Sequence, residues 1–106
     1  MNSKQGTLTG TVADTYATVL TLYVADYEKI LIHIRNTGAT YTLDYKIFGY
    51  ALNGGDLYEE IPAETILATS TTDSIKIANT AYATLVIQMQ KNTTASTYAI
   101  EYCLKR

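Results

Sequence analysis

Apolar and polar residues alternate with a period of two through most of this chain. That period sends neighbouring side chains to opposite faces of extended strands and does not gather them into one helical stripe. In Glu28–Asn36, Ile30, Ile32 and Ile34 share one face while Leu31, His33 and Arg35 share the other. Asn36–Thr37–Gly38 tolerates positive φ and predicts a tight connection to a second strand, Thr40–Leu52. Within that strand Tyr41, Leu43, Tyr45 and Ile47 point one way. Around Gly49 the apolar phase passes to Phe48, Tyr50 and Leu52, which predicts a β-bulge or bend near Phe48–Gly49. Asn53–Gly54–Gly55–Asp56 is the strongest turn signal and predicts a hairpin to a short strand at Leu57–Ile61, with Pro62 closing that strand or lying on an edge. Glu64–Thr72 reads as a loop or short strand. Asp73–Ala78, Tyr82–Lys91 and Ser96–Lys105 alternate again, with Leu85, Ile87 and Met89 on one inner face and Tyr98, Ile100, Tyr102 and Leu104 on another. The first 27 residues alternate more weakly, through Leu8, Gly10 and Val12 and then Tyr16, Leu20, Leu22 and Val24. A helix over Tyr16–Ile30 is the competing reading there, but Thr15, Thr18, Val19, Thr21 and Val24 are β-branched and favour strands.

The expected fold is therefore all-β: an antiparallel β-sandwich, jelly-roll or Ig-like, of about seven to eight strands. Its 106 residues, 47% of them hydrophobic, suffice for one core. Residues 1–14 read as an N-terminal arm or edge strand and 15–106 as a single sandwich domain. The expected core joins Ile32, Ile34, Leu43, Tyr45, Leu85, Ile87, Ile100 and Tyr102. A net charge of −2 with scattered basic residues gives no reason to seek nucleic acid. No run approaches the length of apolar chain that spans a bilayer, and the start, MNSKQGTLTG, lacks the apolar stretch of a secretory leader, so neither a membrane nor export is expected. A single Cys cannot close a disulfide within the chain.

The surface vocabulary is unusual. Charged residues make up 17%, against about 25% in ordinary domains, while Thr occupies 18 positions and Tyr 10, with no Trp. Hydroxyls keep an outward face wettable without the hydration cost of a buried charge, so a partner covers such a face cheaply. Thr7–Val12 and Tyr82–Gln90 carry few lysines that would protect an edge, and Thr7, Leu8, Thr9, Thr11 and Val12 are the candidate assembly arm. A homo-oligomer is expected.

Residues able to carry chemistry are few. His33 is the only imidazole, and its conceivable partners Asp44, Asp26 and Cys103 stand in no nucleophile elbow or oxyanion loop. Cys103 should point away from the main core. Glu59 and Glu60 are neighbours on a strand and face opposite ways, which prevents them from flanking one glycosidic bond together. Asp56 with Glu59 supplies too few oxygens for calcium, and Asn92–Thr93–Thr94 matches a glycosylation sequon. No catalytic residue, metal or cofactor is expected, and the chain does not read as an enzyme. Tyr23, Tyr50 and Tyr58 are the candidates for a carbohydrate- or host-surface-binding face, the alternative function.

From Glu28 onward the order of features is similar to a known group. An apolar strand ends in Asn-Thr-Gly (Ile30–Gly38), and a strand with Tyr-Lys-Ile-Phe-Gly (Tyr45–Gly49) follows. Next come a Gly/Asp hairpin with an aromatic (Asn53–Tyr58), a Glu-Thr-Ile-Leu-Ala segment (Glu64–Ala68) and two closing strands. Over about residues 28–104 this resembles small β-sandwich virion proteins of tailed bacteriophages, the capsid decoration or cement type, with Tyr58 where related hairpins carry Trp. The resemblance implies a non-enzymatic virion protein, assembled in the host cytoplasm. It would bind the major capsid protein or another virion protein on the capsid exterior, often as a homotrimer with a terminal arm across its neighbours.

Overall fold

The computed structural model describes residues 3–61, 64–79 and 81–106, so the expectation for Pro62 lies outside the described residues. Among the described residues there are nine strands and no helix: β1 Ser3–Thr11, β2 Ala17–Tyr23, β3 Lys29–Asn36, β4 Leu43–Tyr50, β5 Tyr58–Glu60, β6 Thr65–Leu67, β7 Thr72–Ala78, β8 Thr84–Lys91 and β9 Thr97–Lys105. They form two antiparallel sheets. One has the order β1-β9-β3-β7, and the other has the order β2-β8-β4-β5 with β6 also paired to β4. The chain changes sheet at every connection except β4 to β5 to β6. Taking β5 and β6 as two halves of one strand along β4 gives the eight-strand jelly-roll order, which decides between the two expected architectures.

The inner faces follow the alternation. Ile32, Ile34, Leu43, Tyr45, Ile47, Leu85, Ile87, Met89 and Ile100 are buried between the sheets, and Tyr102 packs half-buried against them. Tyr45 reaches across the sandwich, its hydroxyl donating to Asp73 Oδ2 of β7 at 2.7 Å. β1 runs beside β9 in unbroken register from Ser3 opposite Lys105 to Thr11 opposite Thr97. Its two glycines have a packing reason: a Cβ on Gly6 would lie 2.4 Å from the Tyr102 hydroxyl, and one on Gly10 would lie 2.7 Å from that of Tyr98. The two tyrosine rings of β9 fill the space that β1 leaves open.

Five sequence expectations need correction. The Asn36–Gly38 segment is not a tight connection between neighbouring strands, because β3 and β4 lie in different sheets. Gly38 is glycine because it approaches Asn36 and Ser96 closely, a Cβ there lying 2.1 Å from Ser96 Oγ, and its φ is not positive. No bulge interrupts β4, which keeps its register with β8 from Leu43 opposite Lys91 to Tyr50 opposite Thr84. The register shift is instead in β2, between Thr18 and Leu20. It reverses the phase of β2, so Tyr16 leaves the core side and lies outside, with Lys46 Nζ 4.5 Å above its ring. Tyr41 and Leu52 are exposed, since both fall outside β4. Finally, β8 is no edge strand, being enclosed by β2 and β4.

Two buried asparagines tie the crossovers. Asn36 Nδ2 donates to the Tyr41 and Leu67 carbonyls at 2.8 and 3.2 Å, while its Oδ1 accepts from Gly38 N–H and Ser96 Oγ at 2.9 and 2.8 Å. At the other end of β3, Asn79 Nδ2 donates to the carbonyls of Val24, Tyr27 and Tyr82, and Oδ1 accepts from Ala81 and Tyr82 N–H. Each end of the sandwich is thus closed by one amide that bonds to segments from both sheets.

Candidate functional site

The registers of β2, β8, β4 and β5 place Tyr23 opposite Thr84, Thr84 opposite Tyr50, and Tyr50 opposite Tyr58. The three tyrosines singled out from sequence therefore stand in one row across the outer face of the second sheet. Tyr50 and Tyr58 are in contact, ring centroids 5.5 Å apart at 47°. Tyr23 stands two ladder steps from Tyr50, about 10 Å, with Thr84 between them. The Thr84 hydroxyl donates to Asn53 Oδ1, which folds the hairpin turn onto the row. Tyr23 and Tyr58 are 60% and 56% exposed, so both rings offer a face to solvent.

Phe48 lies in the adjacent row of the same face, only 6% exposed, with Tyr58 packed against it edge-on at 4.7 Å and 62°. This small outer cluster accounts for the change of apolar phase around Gly49: Phe48 is covered on the outer face by the Tyr58 ring of the neighbouring β5, with β4 continuous. Gly49, on the inner side, makes room for Tyr82 and Ile61, either of which would stand 2.5 Å from a Cβ. The β4–β5 turn uses Gly54 at φ +73°, the open position a non-glycine residue resists. That turn leaves Leu52 and Leu57 at 69% and 87% exposure. Sequence reasoning treated these leucines as ordinary strand residues, and their unusual exposure appears only once the hairpin ends are located.

Among the assembly-arm candidates, Thr7, Thr9 and Thr11 are exposed on β1, Leu8 is half-buried and Val12 is in the core. All but Val12 lie in a strand paired to the chain's own β9.

On the outer face of the first sheet, His33 stands opposite Ser74 on one side and Glu101 on the other. Ser74 Oγ and His33 Nδ1 are 2.8 Å apart. The sequence partners are elsewhere: Asp44 accepts from Gln90 and Asn92 on the other sheet, and Asp26 lies in the β2–β3 connection. Cys103 shares the His33 face, diagonally placed on β9, and is a half-buried free thiol. Only the β-register brings Ser74 and Glu101 to the histidine. The geometry is not that of a nucleophile triad, in which the carboxylate takes Nδ1 and the serine the other nitrogen. Here serine holds Nδ1, and Glu101 makes no ion pair with the ring among the described residues. Glu59 and Glu60 do face opposite ways, Glu60 pairing with Lys46 at 3.7 Å. The Asn92 amide of the sequon donates to Asp44 at 3.0 Å. Among the described residues no three His, Cys, Asp or Glu side chains converge as a metal site needs.

Burial raises the pKa of three tyrosines. Desolvation and then the Asp73 carboxylate push Tyr45 well above the ordinary phenol range. Desolvation and then Glu64, which accepts the Tyr16 hydroxyl, do the same for Tyr16. Tyr98 is raised by desolvation.

No family model matches the chain, and no curated protein sequence matches it. Solved structures share its fold. PirA superposes with a TM-score of 0.67 at 16% identity, covering 91% of this chain and 92% of PirA. A protein of the Bacillus endospore appendages, which form disulfide-linked pili, gives 0.64 at 11%, covering 98% and 87%. The Yersinia pseudotuberculosis-derived mitogen gives 0.61 at 12%, covering 97% and 86%. At these identities the likeness is one of fold, and function has to be argued from the surface.

Proposed function

We propose that this chain is a non-enzymatic structural protein of a virion, a capsid decoration protein that binds the capsid exterior as a homo-oligomer, with the major capsid protein or another virion protein as its partner. The observation that carries the reading is the exposed apolar hairpin of Leu52, Leu57 and Tyr58 on a molecule whose remaining faces are rich in hydroxyls and poor in charge. An exposed apolar cluster beside polar uncharged faces suits burial against a partner. The phage-like order of features over residues 28–104 supplies the kind of partner. The same fold serves assembly in the Bacillus appendages that form pili. Co-sedimentation with purified capsids tests the reading: saturable binding, weakly sensitive to salt and lost in Leu57→Asp with unchanged melting, is expected. Capsids that sediment without the protein at any salt concentration refute it.

The tyrosine row favours a second reading, a carbohydrate- or host-surface-binding module, because jelly-rolls serve lectins as well as viral coats. Tyr23 and Tyr58, three ladder steps or about 14 Å apart, each offer an exposed ring face on which a sugar can stack. Glycan-array signal lost in Tyr58→Ala supports it, and an array without a binder removes it.

A further inference from the structure

The four edges of the sandwich differ in how they are protected against pairing with another strand. β2 carries its register shift between Thr18 and Leu20, and a bulge twists an edge away from partners. β5 and β6 are three residues each, too short to template a strand. β7 has Lys76 on its outer face and the inward-pointing Asp73. β1 has only one of these devices, a single lysine near its end. It is nine residues long, keeps unbroken register with β9 and carries one charge, Lys4, near its end.

Its hydrogen bonding is also half used. Val12 N–H donates to Ser96 at 3.0 Å, and the antiparallel ladder alternates. The backbone groups of Gly10, Leu8, Gly6 and Lys4 therefore turn toward β9. Those of Thr11, Thr9, Thr7, Gln5 and Ser3 turn to the open edge.

We propose that β1 pairs with β1 of a second copy, antiparallel about a two-fold axis at Thr7, joining the two four-stranded sheets into one. Thr7 lies at the centre of Ser3–Thr11, so only this register uses the whole strand. It sets Thr7 against Thr7, Gln5 against Thr9 and Ser3 against Thr11, the very residues whose backbone groups face the edge. On the other side Leu8 comes over Gly6 of the second copy, where the Tyr102 ring fills the glycine's space, and Lys4 falls opposite Gly10. No like charges meet. Hydroxyl-bearing side chains line the seam outside and an aliphatic-on-aromatic contact lines it inside, a self-complementary patch of the kind a two-fold contact requires. The inference rests on the homo-oligomer part of the reading above and not on its capsid part. It gives a two-fold pair where the family resemblance implies a trimer.

Sedimentation equilibrium of the full chain reads the state directly, with a dimer expected in the range of about 10–100 µM. Thr7→Pro removes a donor that β9 does not use, and the loss of two symmetric hydrogen bonds should weaken the dimer about 10- to 100-fold. Register is tested separately in a Cys103→Ser background. Thr7→Cys places two thiols opposite each other, about 5.5 Å between Cα atoms, within disulfide reach. Thr9→Cys faces Gln5 of the second copy and should stay uncrosslinked. A strict monomer, a trimer, or equal crosslinking of both cysteine variants overturns the proposal. These results are independent of whether capsids bind, so failure here and failure of the capsid reading are told apart.

Discussion

Asn36 and Asn79 hold the sandwich at its ends. Each amide engages four or five polar groups from loops that meet nowhere else in sequence. Asn79→Ala leaves the carbonyls of Tyr27 and Tyr82 and the N–H groups of Ala81 and Tyr82 to find water, while the Val24 carbonyl keeps the Tyr27 N–H, and we expect a loss of about 2–4 kcal/mol in urea unfolding. Asn79→Asp should be worse at neutral pH, since a carboxylate oxygen would then face those carbonyls. The Tyr45 phenol makes a different prediction. Desolvation and Asp73 raise its pKa in the fold well above that of an unfolded chain. Below about pH 10 both states keep the proton and the contribution is complete. Above that, the unfolded chain ionises first, so stability falls as pH rises. Thermal melts from about pH 8 to 11 should show this decline, and Tyr45→Phe should make it shallower.

At the level of elements, β1 and β9 fit by an exchange of volume. Gly6→Val should cost about 1–3 kcal/mol through overpacking against Tyr102, and most of that cost should vanish in a Tyr102→Ala background, giving a clear coupling in a double-mutant cycle. This fit was not legible beforehand, although the faces were. Alternation reports which way a side chain points, and it placed Ile32, Ile34, Leu85, Ile87 and Ile100 correctly. It carries no information on which sheet a strand joins, so the Asn36–Gly38 segment read as a tight connection when it is a crossover held by Asn36. An apolar residue on an outer face reads as a phase slip, which is how Phe48 suggested a bulge that belongs to β2. The tyrosine row was legible as three residues but not as a row, because its spacing exists only through the register of four strands. Leu57 showed no signal, as a lone leucine beside a turn is ordinary.

For the whole molecule, a slab of 39 × 30 × 17 Å, the two sheets share one layer of core side chains. Ile87 sits at its centre with no exposed surface, and Ile87→Ala should cost about 2–5 kcal/mol in chemical denaturation and unfold both sheets together. The connectivity also shapes how the molecule yields to tension. Ser3 and Lys105 lie side by side at one end of the β1–β9 ladder. Opposed pulls on those two residues load the rungs one after another, starting near Lys4 and Leu104, and peel β1 away like a zip. Pulls on Thr11 and Lys105 act at opposite ends of the same ladder and must break its rungs together in shear. Tethers at Ser3 and Lys105 should therefore open at much lower force than tethers at Thr11 and Lys105. A load borne along the chain would release the first strand as a mechanical fuse while the remaining strands stay folded.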